Sequence, residues 1–140
     1  MNTPISSKSV LVVDDEPLIL SAMEEILNFE GHRVEAVGDA ESALEKLANR
    51  HFDIVFTDLG LPKMPVDVLA REIKKQSPQQ IVVMVPGSGE PLNQKQVEQS
   101  SIDSTLQKPF HMREFREIMQ AITLRQAVET PRPVELLASL

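Results

Sequence analysis

The sequence predicts an α/β domain: a doubly wound, mostly parallel five-stranded sheet with helices on both faces. Two observations carry this. Short apolar runs recur along the 140 residues, and the segments between them repeat their apolar residues at the three- and four-residue spacing of amphipathic helices. Alternating strands and helices require right-handed crossovers, which cover both faces of a parallel sheet.

The first run, Val10 to Val13, is continuous, as in a strand buried on both faces. Asp15-Glu16-Pro17 reads as a helix start, with acids at the positive dipole end and proline in the first turn. The helix carries Ile19, Met23 and Ile26 beside Leu20 and Leu27, and stops near Gly31. Val34 and Ala36 in "HRVEAVGD" alternate as in a short strand, and Asp39 caps a helix holding Ala40, Ala43, Leu44 and Leu47. Ile54 to Thr57 is the third strand; after "DLGLPKMP", in which Pro65 suits a first turn, a helix carries Val68, Leu69 and Ile73. Ile81 to Val85 is the most apolar run and is expected in the middle of the sheet. "PGSGEPLNQ" is turn-rich and matches no phosphate-binding loop, and Gln94 to Ser100 is a polar, weakly amphipathic helix. Thr105-Leu106 is a short strand, and the last helix sets Met112, Phe115, Met119 and Ile122 on one face. These readings divide the chain into a disordered N-terminus (1–7), one domain (8–126) and a tail or linker stub (127–140).

Composition narrows the chemistry. There is no cysteine, so disulfides and thiolate metal sites are excluded, and any metal must be held by oxygen or by one of three histidines. A net charge of -7 and the absence of Trp and Tyr argue against direct nucleic-acid binding, which draws on cations and stacking platforms. No apolar run reaches the roughly 20 residues of a membrane span, and the start lacks the apolar stretch of a signal peptide. A cytoplasmic protein without membrane partners is expected.

In open parallel sheets, ligands bind outside the carboxyl ends of the strands. There the first strand ends in Asp14 and Asp15, the third in Asp58 and the fifth in Lys108. Adjacent carboxylates repel unless a cation or proton lies between them. A cluster of oxygen donors without sulfur or imidazole suits a hard divalent ion, most naturally Mg2+. Taken singly, each residue has a plainer reading: Asp14 and Asp15 as a helix cap and a surface acid, Asp58 as a strand-end acid, Lys108 as a solvated cation. His32, His51 and His111 are expected in surface or capping roles.

"VVDDE" (Val12 to Glu16), "TDLGLPKM" (Thr57 to Met64) and "LQKPF" (Leu106 to Phe110), in this order and at these separations, resemble the receiver domain of bacterial two-component response regulators. The resemblance covers roughly Lys8 to Gln126. It implies a flavodoxin-like sheet of order 2-1-3-4-5, and a phosphoacceptor, Asp58, that takes a phosphoryl group from a sensor histidine kinase or phosphotransfer protein. It implies Mg2+ on Asp14, Asp15, Asp58 and the carbonyl of Gly60, and Lys108 paired first with Asp58 and then with the phosphoryl group. It implies signalling to a downstream protein effector through the 4-5 face, formed by the fourth helix, fifth strand and fifth helix. It implies a domain that catalyses only its own phosphoryl transfer and dephosphorylation and is otherwise no enzyme.

The pattern breaks at both switch positions. Pro86 stands where receivers carry a hydroxyl at the end of the fourth strand, and Thr105 where they often carry Tyr or Phe. Proline offers neither a hydroxyl nor an N–H, which leaves the backbone N–H of Gly87 and the hydroxyl of Ser88 as replacements. Two other readings compete. One is a pseudo-receiver acting by constitutive protein contacts without phosphorylation, to which Pro86 and Thr105 point. The other is a Mg2+-dependent phosphohydrolase with Asp58 as nucleophile, against which Gly60 stands where such enzymes place a second acid. With no output segment evident, the signal passes to another protein, or the chain is a piece of a hybrid kinase or larger regulator.

Overall fold

The apolar runs become strands because β-branched residues pack well on a pleated surface covered on both sides. A computed structural model of the chain describes residues 7–58, 64, 66–85, 102–106 and 112–129. Five parallel strands, β1 (Ser9–Val13), β2 (Arg33–Val37), β3 (Ile54–Asp58), β4 (Ile81–Val85) and β5 (Ser104–Thr105), are ordered β2-β1-β3-β4-β5. That is the predicted order. Three helices join the first four strands: α1 (Pro17–Phe29), α2 (Ala40–Asn49) and α3 (Val66–Gln76). All of these lie in one compact unit, Ser7–Phe110.

The order reverses at β1. The chain steps from β1 to β2 in one direction, then crosses back over β1 to β3 and continues to β4 and β5. Right-handed crossovers therefore put α1 on one face and α2 and α3 on the other. On the α2–α3 face, Leu11, Val13, Val37, Val55 and Val82 pack with Ala40, Ala43, Leu69, Ala70 and Ile73. The alternate residues Val10, Val12, Ile54, Phe56, Ile81, Val83 and Val85 point the other way and are equally buried. On that side α1 lies along β1 and β2, and its Met23 and Leu27 are buried.

Local signals behave as their chemistry requires. Pro17 begins α1, and the chain leaves the helix through Gly31 at φ +89°, the left-handed conformation that glycine adopts at little steric cost. Asp39 caps α2, its Oδ1 accepting the Ser42 N–H at 2.7 Å. β3 extends one residue beyond the predicted Thr57 to include Asp58, and β5 sits one residue earlier than predicted, at Ser104–Thr105. A second unit holds the C-terminal helix Met112–Glu129, in which Phe115, Met119 and Ile122 are buried as expected. That helix runs three residues into the segment predicted as a tail. The predicted fourth helix, Gln94 to Ser100, lies outside the described residues.

Candidate phosphoacceptor site

The β1–β3 pairing builds the site. Val13 lies opposite Thr57; Asp14 follows immediately after β1, and Asp58 is the last residue of β3. Neighbouring strands run about 4.8 Å apart, so two carboxylates at matched positions on adjacent strand ends must lie close together. Asp14, Asp15 and Asp58 each offer an oxygen within 4.8 Å of the others. Asp14 and Asp58 are buried, at 2% and 7% exposure, and Asp15 is exposed.

Asp14 is anchored on both sides. Its N–H continues the ladder to Val37 O at 3.1 Å, and its Oδ1 accepts the Glu16 N–H at 2.9 Å, closing the turn that launches α1. Asp14 therefore closes a turn just ahead of α1 as well as taking a place in the cluster, while the N-cap position itself falls on Glu16. The Glu16 side chain makes no cap bond of its own. Beneath the cluster, the buried Thr57 donates its hydroxyl to Asp58 O at 3.2 Å, so its polar atom is satisfied.

Burial raises the free energy of each charge, and proximity raises it again. A six-coordinate Mg2+ with bonds near 2.0–2.1 Å spans about 2.9 Å between adjacent ligands and about 4.1 Å between opposite ones. Three carboxylates within 4.8 Å can share such an ion with a small closure, or with one of them bound through water. The donor set is oxygen alone, as a hard cation requires. The residues fit the ion.

Thr105 lies two strands away, half-buried in β5 and paired with Met84, which in turn pairs with Thr57. Gly60, Pro86, Gly87, Ser88, Lys108 and His111 lie outside the described residues. The expectation for His32 is met in one half and corrected in the other: its backbone N–H donates to Leu27 O at 3.0 Å and closes the end of α1, but at 4% exposure it is not a surface residue. Its Nδ1 accepts the Lys8 N–H at 3.0 Å, which holds the chain entering β1. Burial lowers its pKa from 6.5, reinforced by Lys8 and opposed by Glu30 and Asp53. His51 is exposed, as expected, with Nε2 3.5 Å from Asp53 Oδ1.

The family model of the response regulator receiver domain matches residues 10–120. The chain belongs to that family. Receiver domains are signalling modules of two-component systems rather than turnover enzymes. This receiver is 31% identical over 118 residues to the two-component response regulator PhoP of Pseudomonas aeruginosa, an alignment covering 84% of this chain and 52% of the relative. It is 31% identical over 126 residues to the transcriptional regulatory protein CutR of Streptomyces coelicolor, covering 90% and 58%. The receiver spans about half the length of such relatives. Among solved structures, a CheY-like receiver domain protein of Methanospirillum hungatei superposes with a TM-score of 0.81 at 30% identity, covering 89% of this chain and all of that one. The receiver domain of a sensor histidine kinase from Pseudomonas aeruginosa, solved with a magnesium ion coordinated in its active-site cleft, shares the fold at 23% identity and a TM-score of 0.76, covering 84% and 98%. Among the described residues no helix is long and apolar enough to cross a membrane.

Proposed function

We propose that this receiver accepts a phosphoryl group on Asp58 from the phosphohistidine of a sensor kinase or phosphotransfer protein. The observation that carries the reading is the convergence of Asp14, Asp15 and Asp58 at the β1–β3 switch point of a chain in this family. A carboxylate oxygen of Asp58 attacks phosphorus, the phosphorus–nitrogen bond of the donor breaks, and the imidazole leaves with the electron pair and takes up a proton. Asp14 and Asp15, with Asp58 and the Gly60 carbonyl, are the residues that would hold Mg2+. When bound, the ion neutralises charge on the phosphoryl oxygens. Burial of Asp14 and Asp58 restricts water around them and strengthens every charge interaction there. Lys108 is assigned to the same charge, before transfer as partner of Asp58 and afterwards of the phosphoryl group.

Output is assigned to the 4-5 face and a cytoplasmic protein effector, with residues 8–126 as the receiver domain. Pro86 removes one charge-assisted hydrogen bond, worth about 1.5–3 kcal/mol, from the usual switch. Gly87 N–H and the Ser88 hydroxyl are the available substitutes, and Thr105 replaces the rotating aromatic ring.

The test is intact mass after incubation with acetyl phosphate and Mg2+, in the parent and in Asp58→Asn. The expected result is one added phosphoryl group in the parent and none in the variant. No addition to a parent that still binds Mg2+ overturns the reading in favour of a constitutive interaction module.

A further inference from the structure

β5 contains two residues, Ser104 and Thr105, both polar and half-buried. Such a strand carries little of the in–out hydrophobic alternation that normally selects a register. Its pairing is nevertheless gripped just before it begins. Asp103 bonds both polar groups of Val82: its N–H donates to Val82 O at 2.9 Å, and its Oδ2 accepts the Val82 N–H at 2.8 Å. The same Oδ2 lies 2.8 Å from Lys74 Nζ at the C-terminal end of α3, and Lys74 also donates to Gln80 O, just before β4. The two side chains are 20% and 12% exposed, so this ion pair is shielded from solvent.

We infer that Lys74 and Asp103 form a register clip, positioning residues that fix β5, and the switch and site residues that follow, against β4. This rests on the function proposed above. Beyond the clip, Leu106 donates its N–H to Met84 O at 2.8 Å and buries its side chain to 2% exposure. A slip of one residue turns Thr105 and Leu106 to the opposite faces and moves the chain by about 3.3 Å. Lys108 is two residues beyond Leu106 in the sequence, so its starting point moves as well. Positioning errors of about 1 Å already cost phosphoryl transfer heavily. Lys74 meets the charge requirement: it neutralises a carboxylate that must be shielded in order to hold Val82, and its second bond keeps α3 against the start of β4.

The test uses Lys74→Met, Lys74→Arg and Asp103→Asn in the full chain. Amide hydrogen exchange of Val82 and Leu106 reads the clip. Asp14 N–H, bonded to Val37 O across β1 and β2, is the control. Phosphorylation by acetyl phosphate reads the consequence. In Lys74→Met, exchange at Val82 and Leu106 rises by about tenfold or more while Asp14 is unchanged. The phosphorylation rate falls by about tenfold or more, and Lys74→Arg restores both. Asp103→Asn keeps an acceptor for Val82 but loses the attraction to Lys74, and gives an intermediate exchange rate. Unchanged exchange at Val82 and Leu106 in Lys74→Met overturns the clip, as does loss of protection equally at Asp14. If exchange responds as expected but phosphorylation does not, the link from register to site is overturned. A parent that takes up no phosphoryl group overturns the proposed function instead, and the exchange pattern still decides the clip.

Discussion

Replacing Asp58 with Asn is expected to make the metal-free receiver more stable. At the 4.8 Å that bounds the separation of the buried Asp14 and Asp58 oxygens, two unit charges in an effective dielectric near 20 repel by about 3.5 kcal/mol. The exposed Asp15 contributes about 0.9 kcal/mol at the dielectric constant of water. The bond from Glu16 N–H to Asp14 and the Lys108 charge assigned above to Asp58 offset most of this repulsion, so a net gain of about 1 kcal/mol is expected in Asp58→Asn. In a domain of this size that raises Tm by about 3–4 °C. The assay is thermal unfolding in EDTA and across a Mg2+ titration. Mg2+ at a hundred times its Kd adds about 2.7 kcal/mol to the parent. The variant lacks one ligand charge and gains less, so the stability difference shrinks or reverses as Mg2+ rises. An Asp58→Asn protein less stable than the parent in EDTA would refute the repulsion argument, and equal Mg2+ stabilisation of both would refute the shared ion site.

Gly31→Ala should destabilise by about 1–2 kcal/mol through the backbone alone, because the added Cβ meets nothing within 4 Å while φ is +89°; urea unfolding measures this, and Gly31→Asn should lose less. Asp39→Ala removes the 2.7 Å cap of α2 and should cost about 1 kcal/mol in the same assay, whereas Asp39→Asn keeps an acceptor and most of the stability. The lowered pKa of His32 gives a pH dependence of defined sign. Above the unfolded value of 6.5 imidazole is neutral in both states, and as pH falls below it the unfolded chain takes up the proton first, so stability declines toward the folded pKa. Protonation also turns Nδ1 from acceptor to donor against the Lys8 N–H. Unfolding between pH 7.5 and 5 should therefore show a shallower decline in His32→Asn than in the parent, and identical slopes would contradict the assignment.

Much of this protein was legible from residue order alone. Strands buried on both faces appear as unbroken apolar runs, and caps such as Asp39 and breaks such as Gly31 act within three or four residues of themselves. The acids of the site were legible for a related reason: a parallel α/β sheet delivers the residues after its strands to one edge, so Asp14, Asp15 and Asp58 converge whatever the details of packing. Tertiary structure decided what depends on long-range partners. His32 was expected in a surface or capping role; its backbone N–H does close the end of α1, but its burial depends on the segment entering β1, whose Lys8 N–H bonds its Nδ1. Asp103 and Lys74, 29 residues apart along the chain, carry no local signal that links them, and only the meeting of the end of α3 with the starts of β4 and β5 pairs them. Local sequence encodes the periodicity that drives burial, whereas a half-buried ion pair depends on which strand lies beside which, and that is known only once the sheet has formed.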